Sequence, residues 1–348
     1  MRKYYFFLYL KIVLQLNYLV KFMKISKLLA ILLTIWLIFT NGEKVPGIKA
    51  QDPEFTQFYA NPLYLNPAFA GVLRCPRLVF NYRNQWPNIP GSFVTYVASY
   101  DQHVDALAGG VGLQVWTDIA GKTLRTTNAS LFYSYHLPIN RKFSLKFGVQ
   151  GAWQQKSIDW SKLTFGDMID PRRGFVYTTQ QQQGANLSSV ADFSAGVLAY
   201  TDIYFVGFAA QHLTEPIEGI LNPNSAIAKL PRKYTFHAGA ALPIESKGEP
   251  AKFSPNILFW QQGPFRQFLF GMYYSKGAMV GGLWYRAKDS FIALLGFDSD
   301  NFKFGYSYDI TVSKLTMKTA GSHEISIGIK FDCKPKRRRF RTISCPSF

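Results

Sequence analysis

Long apolar runs are scarce in this 348-residue chain. Past Phe39 no stretch approaches 18 consecutive apolar residues, so nothing beyond the first 50 reads as a membrane-spanning helix. Charge is scarce too: Asp, Glu, Lys and Arg make up 17%, little for a soluble surface to be built from. Metal-ligating residues are few and scattered. His103, His136, His212, His237 and His323 form no pair at ligand spacing, and the three cysteines lie far from any of them except at the last strand. No metal and no cofactor is expected. Ser322-His323-Glu324 has the residue types of an acyl-transfer site, but consecutive side chains of a strand point to opposite faces and do not converge. Acidic residues number 21 against 39 basic, a net charge of +18. That excess is concentrated at the ends. Residues 1–50 carry +7 and the last fifteen residues +6, which leaves +5 for 51–333. A nucleic-acid partner is therefore not indicated.

Aromatics, in contrast, are abundant: 16%, with 30 Phe and 20 Tyr. They fall in period-two patterns. Ile325, Ile327, Ile329 and Phe331 alternate with Glu324, Ser326, Gly328 and Lys330; Phe302, Phe304, Tyr306 and Tyr308 alternate with Lys303, Gly305, Ser307 and Asp309. A greasy face backed by a polar one, repeated over some 250 residues, predicts an all-β fold: a transmembrane antiparallel barrel of about 14 strands, lipid outside and a polar lumen inside. Fourteen strand candidates lie between residues 77 and 331, near 77–86, 92–102, 107–117, 123–136, 142–155, 188–200, 202–212, 232–243, 252–261, 265–275, 278–287, 290–298, 301–311 and 321–331. The twelfth, around Phe291-Ile292-Ala293-Leu294-Leu295, is apolar on both faces and fits the pattern less well.

The connections are sided. The two longest, about 156–187 and 213–231, are the fifth and seventh, so both fall on one rim; the even connections are tight turns. Long loops on one rim and short turns on the other is the outer-membrane arrangement, and an even strand count places both ends of the barrel in the periplasm. The start agrees with export. Met23-Lys24-Ile25-Ser26-Lys27 precedes the apolar run Leu28 to Phe39, followed by Gly42, Pro46, Gly47 and a small residue, Ala50. Residues 1–50 read as a signal region, with Met23 as the expected true start and cleavage after Ala50. Residues 51–75 form an Asn/Pro-rich N-terminal segment at or in the periplasmic mouth, 76–331 the barrel, and 332–348 a basic periplasmic tail.

Gln51-Asp52-Pro53-Glu54-Phe55-Thr56-Gln57-Phe58-Tyr59-Ala60-Asn61-Pro62-Leu63-Tyr64-Leu65-Asn66-Pro67-Ala68-Phe69-Ala70-Gly71, then Tyr82-Arg83-Asn84-Gln85-Trp86-Pro87, then Tyr308-Asp309-Ile310-Thr311 and Gly321-Ser322-His323-Glu324-Ile325-Ser326, resemble the PorP/SprF family of Bacteroidetes type IX secretion membrane proteins. The terminus from Arg339 to Phe348 resembles the SprF-like branch. The resemblance implies a non-enzymatic outer-membrane component that supports protein secretion, including export of a gliding adhesin as cargo. It also implies partners among the periplasmic ring and peptidoglycan-linked subunits of the machine, beside outer-membrane lipid. The residue patterns alone leave a second reading open, a transport barrel for small hydrophobic molecules.

Four groups of residues are singled out. Tyr59, Asn61, Tyr64, Asn66 and Phe69 are expected to pack a plug-like segment into a lumen wide enough to need filling; the Asn-Pro pairs also suit ordinary turns and caps. Lys334, Lys336, Arg337, Arg338, Arg339 and Arg341, interleaved with Phe340, are candidates for binding a periplasmic partner, although such runs are commonly solvated. Cys75 and Cys333 flank the first and last strands and would meet at the seam, where a disulfide is possible; free thiols or a Cys333–Cys345 link are the alternatives. Arg83, Lys146, Arg172, Arg173 and Lys303 are candidates for the lumen or a loop vestibule.

Overall fold

A computed structural model describes residues 51–181, 184–220, 228–244, 250–312 and 319–332. The signal region, the polar pair Gln182-Gln183, and the tail with Lys334, Lys336, Arg337, Arg338, Arg339, Phe340 and Arg341 lie outside the described residues, as do Cys333 and Cys345. Among the described residues no helix is long and apolar enough to cross a membrane, and no cluster of His, Cys, Asp and Glu could hold a metal ion.

Fourteen antiparallel strands close a barrel. They are β1 Arg77–Gln85, β2 Phe93–Val104, β3 Gly109–Ala120, β4 Leu124–Pro138, β5 Ser144–Ile158, β8 Leu187–Tyr200, β9 Tyr204–Gln211, β10 Lys233–Ala240, β12 Ala251–Gln262, β13 Phe265–Lys276, β14 Met279–Arg286, β15 Ser290–Asp298, β16 Phe302–Thr311 and β17 Ser322–Lys330. Three short strands complete the set: β6 Ile169–Asp170 and β7 Gly174–Phe175 form a hairpin in the longest loop, and β11 Leu242–Ile244 lies beside β12. The seam joins β1 to β17, with Arg77 opposite Lys330 and Gln85 opposite Ser322. Closure leaves no sheet edge with unpaired backbone groups, which an edge in lipid would require.

Side-chain alternation follows the two environments. Leu131, Leu283 and Leu295, each about two-thirds exposed, stand on the outer face with Phe147, Phe193, Phe270 and Phe291. Their inward neighbours are buried and mostly polar, among them Ser130, Asn128, Gln114, Ser134 and Asp192. In β17, Ile325 faces outward while Glu324 and Ser326 are buried inside.

One part of the lumen departs from the polar expectation. Leu198, Tyr200, Phe205, Leu258, Leu269, Tyr273, Trp284, Ile292 and Leu294 face inward and form a buried apolar cluster with Phe58, Leu65, Ala68 and Phe69. The reason is that these inward side chains meet protein and not water. The doubly apolar stretch of β15 is explained in the same way: Phe291 and Leu295 are exposed outside, Ile292 and Leu294 buried inside.

Candidate functional site

Residues 51–72 run through the barrel interior. Two single 3₁₀ turns, Phe58–Ala60 and Pro67–Phe69, flank one helical turn, Pro62–Leu65. Proline at the start of each of the last two fixes the backbone where an N–H is not needed. Asn66 caps the last turn, its side chain accepting from Ala68 N at 2.9 Å.

Tyr59, Asn61, Tyr64, Asn66 and Phe69 each touch inward-facing residues of the wall. Asn61 Oδ1 accepts from Gln114 Nε2 on β3 (2.9 Å). Asn66 Nδ2 reaches the carbonyls of Val197 on β8 (3.1 Å) and Phe208 on β9 (3.2 Å), and lies 3.2 Å from His237 Nε2 on β10. Phe69 stacks on His237 with ring centroids 5.3 Å apart. Tyr64 meets Phe55 edge-on and donates to Pro53 O at 2.6 Å. Tyr59 packs against Phe205 and Trp284. At the lower end, Lys146 Nζ and Ser134 Oγ both donate to Ala70 O at 2.6 Å, and Gly71 N donates to Asp101 Oδ2 at 2.9 Å. One segment thus touches strands on every side of the lumen.

The wall is shaped to receive it. A Cβ on Gly148 would stand 2.2 Å from Ala68 N, one on Gly110 2.2 Å from Ala70 O, and one on Gly196 2.0 Å from Asn66 Oδ1. Only glycine lets two backbones approach this closely.

Charge holds the middle. Glu324 on β17 accepts from Thr56 N (2.7 Å), Thr56 Oγ1 (2.8 Å) and Gln57 N (3.1 Å). Arg83 on β1 bridges Glu324 (3.2 Å) and Asp309 on β16 (3.0 Å), all three nearly inaccessible to solvent. Buried charges of this kind are tolerated only when paired and hydrogen-bonded. Sequence reasoning placed Arg83 in the lumen group but did not connect it to Thr56, Asp309 and Glu324.

The segment reaches from one rim of the barrel to the other. Gly71 lies beside Gln102 and Gly110, at the short-turn ends of β2 and β3. Asp52 lies at the opposite, long-loop rim. Its carboxylate is 2.8 Å from His212 Nε2 and 3.5 Å from Lys233 Nζ, and its backbone N donates to Gln262 Oε1 at 3.1 Å. The other His212 nitrogen, Nδ1, is 2.7 Å from Asp192, which also accepts from Thr214 at 2.6 Å. The segment crosses the full height because its hydrogen-bond partners are distributed over that height. Burial alone would push His212 down, but the Asp52 charge and the Asp192 hydrogen bond outweigh it and raise its pKa to about 10. Burial alone would raise Asp52; His212 and Lys233 hold it well below the ordinary carboxylate range.

The remaining basic candidates separate. Lys303 lies inside, near the short-turn rim, in an ion pair with Asp298 (2.5 Å). Arg172 and Arg173 are exposed in the β6–β7 hairpin, donating backbone N–H groups to Asp170 (both 2.8 Å). Cys75, just before β1, is disulfide-bonded.

Solved structures similar to this chain are outer-membrane barrels of low identity. A Pseudomonas aeruginosa FadL homologue is 13% identical with a TM-score of 0.41, over 77% of this chain and 93% of that one. CdiB from Acinetobacter baumannii is 9% identical with a TM-score of 0.39, over 74% and 60%. KdgM porin is 9% identical with a TM-score of 0.34, over 74% and 98%. No curated protein matches the chain. The family match is of another order: residues 48–329, the interior segment and the barrel together, match the family described as type IX secretion system membrane protein PorP/SprF. A closed fourteen-strand barrel of outer-membrane type, matched along nearly its whole described length, belongs to the PorP/SprF family of type IX secretion membrane proteins.

Proposed function

We propose that the protein is a non-enzymatic outer-membrane scaffold of type IX secretion, which supports export of surface proteins such as a gliding adhesin and links the membrane to periplasmic parts of the machine. The observation that carries this reading is the interior segment. With Thr56, Asn61, Asn66 and Ala70 bonded to the wall around the circumference, residues 51–72 act as a plug, and the barrel serves as a closed anchoring body and not as a diffusion pore.

In this reading the long loops face outward and the seam ends of β1 and β17 face the periplasm. The basic tail, with Lys334, Lys336, Arg337, Arg338, Arg339, Phe340 and Arg341, is then the periplasmic contact for ring or peptidoglycan-linked subunits. The end produced by cleavage after Ala50 lies toward the outer rim, beside Asp52, so only the C-terminus is periplasmic. The disulfide of Cys75 is assigned to Cys333: Phe331 N donates to Pro76 O at 3.0 Å, which supports bringing the residues after β17 to the start of β1. Non-reducing peptide mapping checks the pairing, and a Cys75–Cys345 peptide pair rejects it.

The test of function is co-purification of the tagged protein from its native membrane, with and without residues 334–348. Periplasmic machine subunits recovered with the full chain and lost with the truncated one support the reading; recovery of lipid and porins alone from both overturns it. The second reading, transport of small hydrophobic molecules, draws on one feature, an apolar cavity beside the plug.

A further inference from the structure

The space left beside the interior segment is small. Between the segment and β14–β17 it amounts to about 120 Å³, room for a few water molecules. A larger hollow lies on the outer wall. It is a groove of about 370 Å³ over β17, β1, β2 and β3, open on its outward side. Sites for small ligands start at roughly 300 Å³.

Strand register explains the groove. Most of its lining residues point outward, in two rows. Ile327, Phe80, Ala98 and Val115 pair across the four strands near mid-height. Ile325, Tyr82, Tyr96 and Thr117 pair in the next outward row, toward the long-loop rim. Asn81, Val97 and Trp116 also line the groove, but their side chains are buried on the inner face, so it meets them at the backbone. Ala98 makes this possible. Its methyl group stands between Phe80 and Val115 and beside Tyr96, each near half exposed. A short side chain among tall ones leaves a furrow down to the main chain. The two ends of the furrow differ. At mid-height the lining is hydrocarbon. At the long-loop end Tyr82 and Tyr96 lie with ring centroids 5.3 Å apart, and among the described residues neither hydroxyl has a hydrogen-bond partner. The Thr117 hydroxyl is engaged with that of Thr127 at 3.2 Å.

We propose that this groove is a binding site for one ester-linked acyl chain of a membrane phospholipid, the chain lying over Ala98 and its ester carbonyl accepting from Tyr82 and Tyr96. The groove is continuous with the lipid-facing wall, so a lipid reaches it without crossing water. Its polarity runs as a lipid's does, from hydroxyls near the rim to hydrocarbon at mid-height. Tyrosine suits that boundary, with an apolar ring and a polar tip. A second copy of the barrel fits it less well. A stable protein interface takes roughly 20–30 residues a side, and this furrow is bordered by two short rows. The site depends on the barrel's facing lipid and not on its serving secretion.

The test is native mass spectrometry of the full-length protein, stripped of lipid in detergent and titrated with a diacyl phosphatidylethanolamine. The di-ether analogue, which lacks the ester carbonyls, is the comparison. Wild type should retain a single diacyl lipid at collision energies that strip the rest. Ala98→Phe closes the furrow with a side chain that the lipid face accepts, and affinity should fall about tenfold or more. Val115→Trp, a filler leaning over the furrow from β3, should act alike. Leu283→Phe, on the exposed face of β14, should leave retention unchanged. The Tyr82→Phe, Tyr96→Phe double variant should weaken the diacyl lipid several-fold and leave the di-ether lipid as it was. Wild type without a retained lipid, wild-type retention in both folded fillers, or equal retention of ester and ether lipids by wild type would overturn the proposal. So would a dimer that Ala98→Phe dissociates, which would give the groove to a second copy.

Discussion

Two walls of one barrel use glycine in opposite ways. On β3, β5 and β8, Gly110, Gly148 and Gly196 are places where the interior segment lies on the strand backbone, so a methyl group would collide with main-chain atoms or with Asn66. On β17, Gly328 faces open space, and an added Cβ would make an ordinary contact. None of these four sits at a positive φ, so the requirement is for room and not for backbone freedom. The first wall holds a segment in place. The second leaves a cavity. A composition count of 27 glycines cannot distinguish the two uses.

The sharpest way to break the held side is to remove its buried cation. Arg83→Ala would leave the buried Glu324 without its cation and Asp309 with Arg286 alone, at 3.4 Å, and should cost about 3–5 kcal/mol. Urea unfolding followed by tryptophan fluorescence in lipid vesicles measures it, and a loss under about 1 kcal/mol would mean that Thr56 and Gln57 suffice for Glu324.

The next effect compares two faces of one strand on the open side. Ile327→Arg places a charge in the lipid and should cost about 2–4 kcal/mol if it lies near the bilayer midplane. Gly328→Ala, one residue on, should change stability by no more than about 0.5 kcal/mol. Ser326 is not the silent control that a water-filled lumen would make it, because its hydroxyl donates to Gln57 Oε1 at 2.5 Å and the segment covers it.

Gly148→Ala then separates the two walls directly. The added methyl forces the segment off β5 and should cost about 1–3 kcal/mol as an overpacked site, against the near-neutral Gly328→Ala. Equal melting shifts for the two in a heat-modifiability series would contradict the distinction.

The smallest effect concerns the rim. His212 has a raised pKa in the folded state, so its contribution is fully present below the unfolded value near 6.5 and is lost as pH rises through about 10. Residues 51–53 should fray above that pH while 61–71 stay seated. Proteolysis at residues 51–53 should therefore accelerate at high pH in wild type. It should be fast at all pH values in His212→Gln.

The outer face was legible in the sequence, since lipid demands an apolar side chain at every second position and no tertiary contact overrides that demand. Ile325, Ile327, Phe302 and Phe304 could be assigned without coordinates. So could the sidedness of the loops, which needs only the order of turns. The interior was not legible, because its logic is long-range. Thr56 and Glu324 are separated by 268 positions, Asn61 and Gln114 by 53, and neither pairing leaves a local pattern. Tyr59, Asn61, Tyr64, Asn66 and Phe69 could be picked out as packing residues from their Asn/Pro-rich context, but not the height to which the chain threads the barrel. One signal was present: the doubly apolar Phe291–Leu295 stretch marked a part of the lumen where inward side chains pack against protein.

Planar-bilayer recording of the purified wild-type barrel is the most direct test of the central claim, that residues 51–72 fill the lumen. The account predicts insertion without steady conductance, and current steps once Gly148→Ala displaces the segment. Wild-type steps of the size expected for a water-filled barrel of fourteen strands would contradict it.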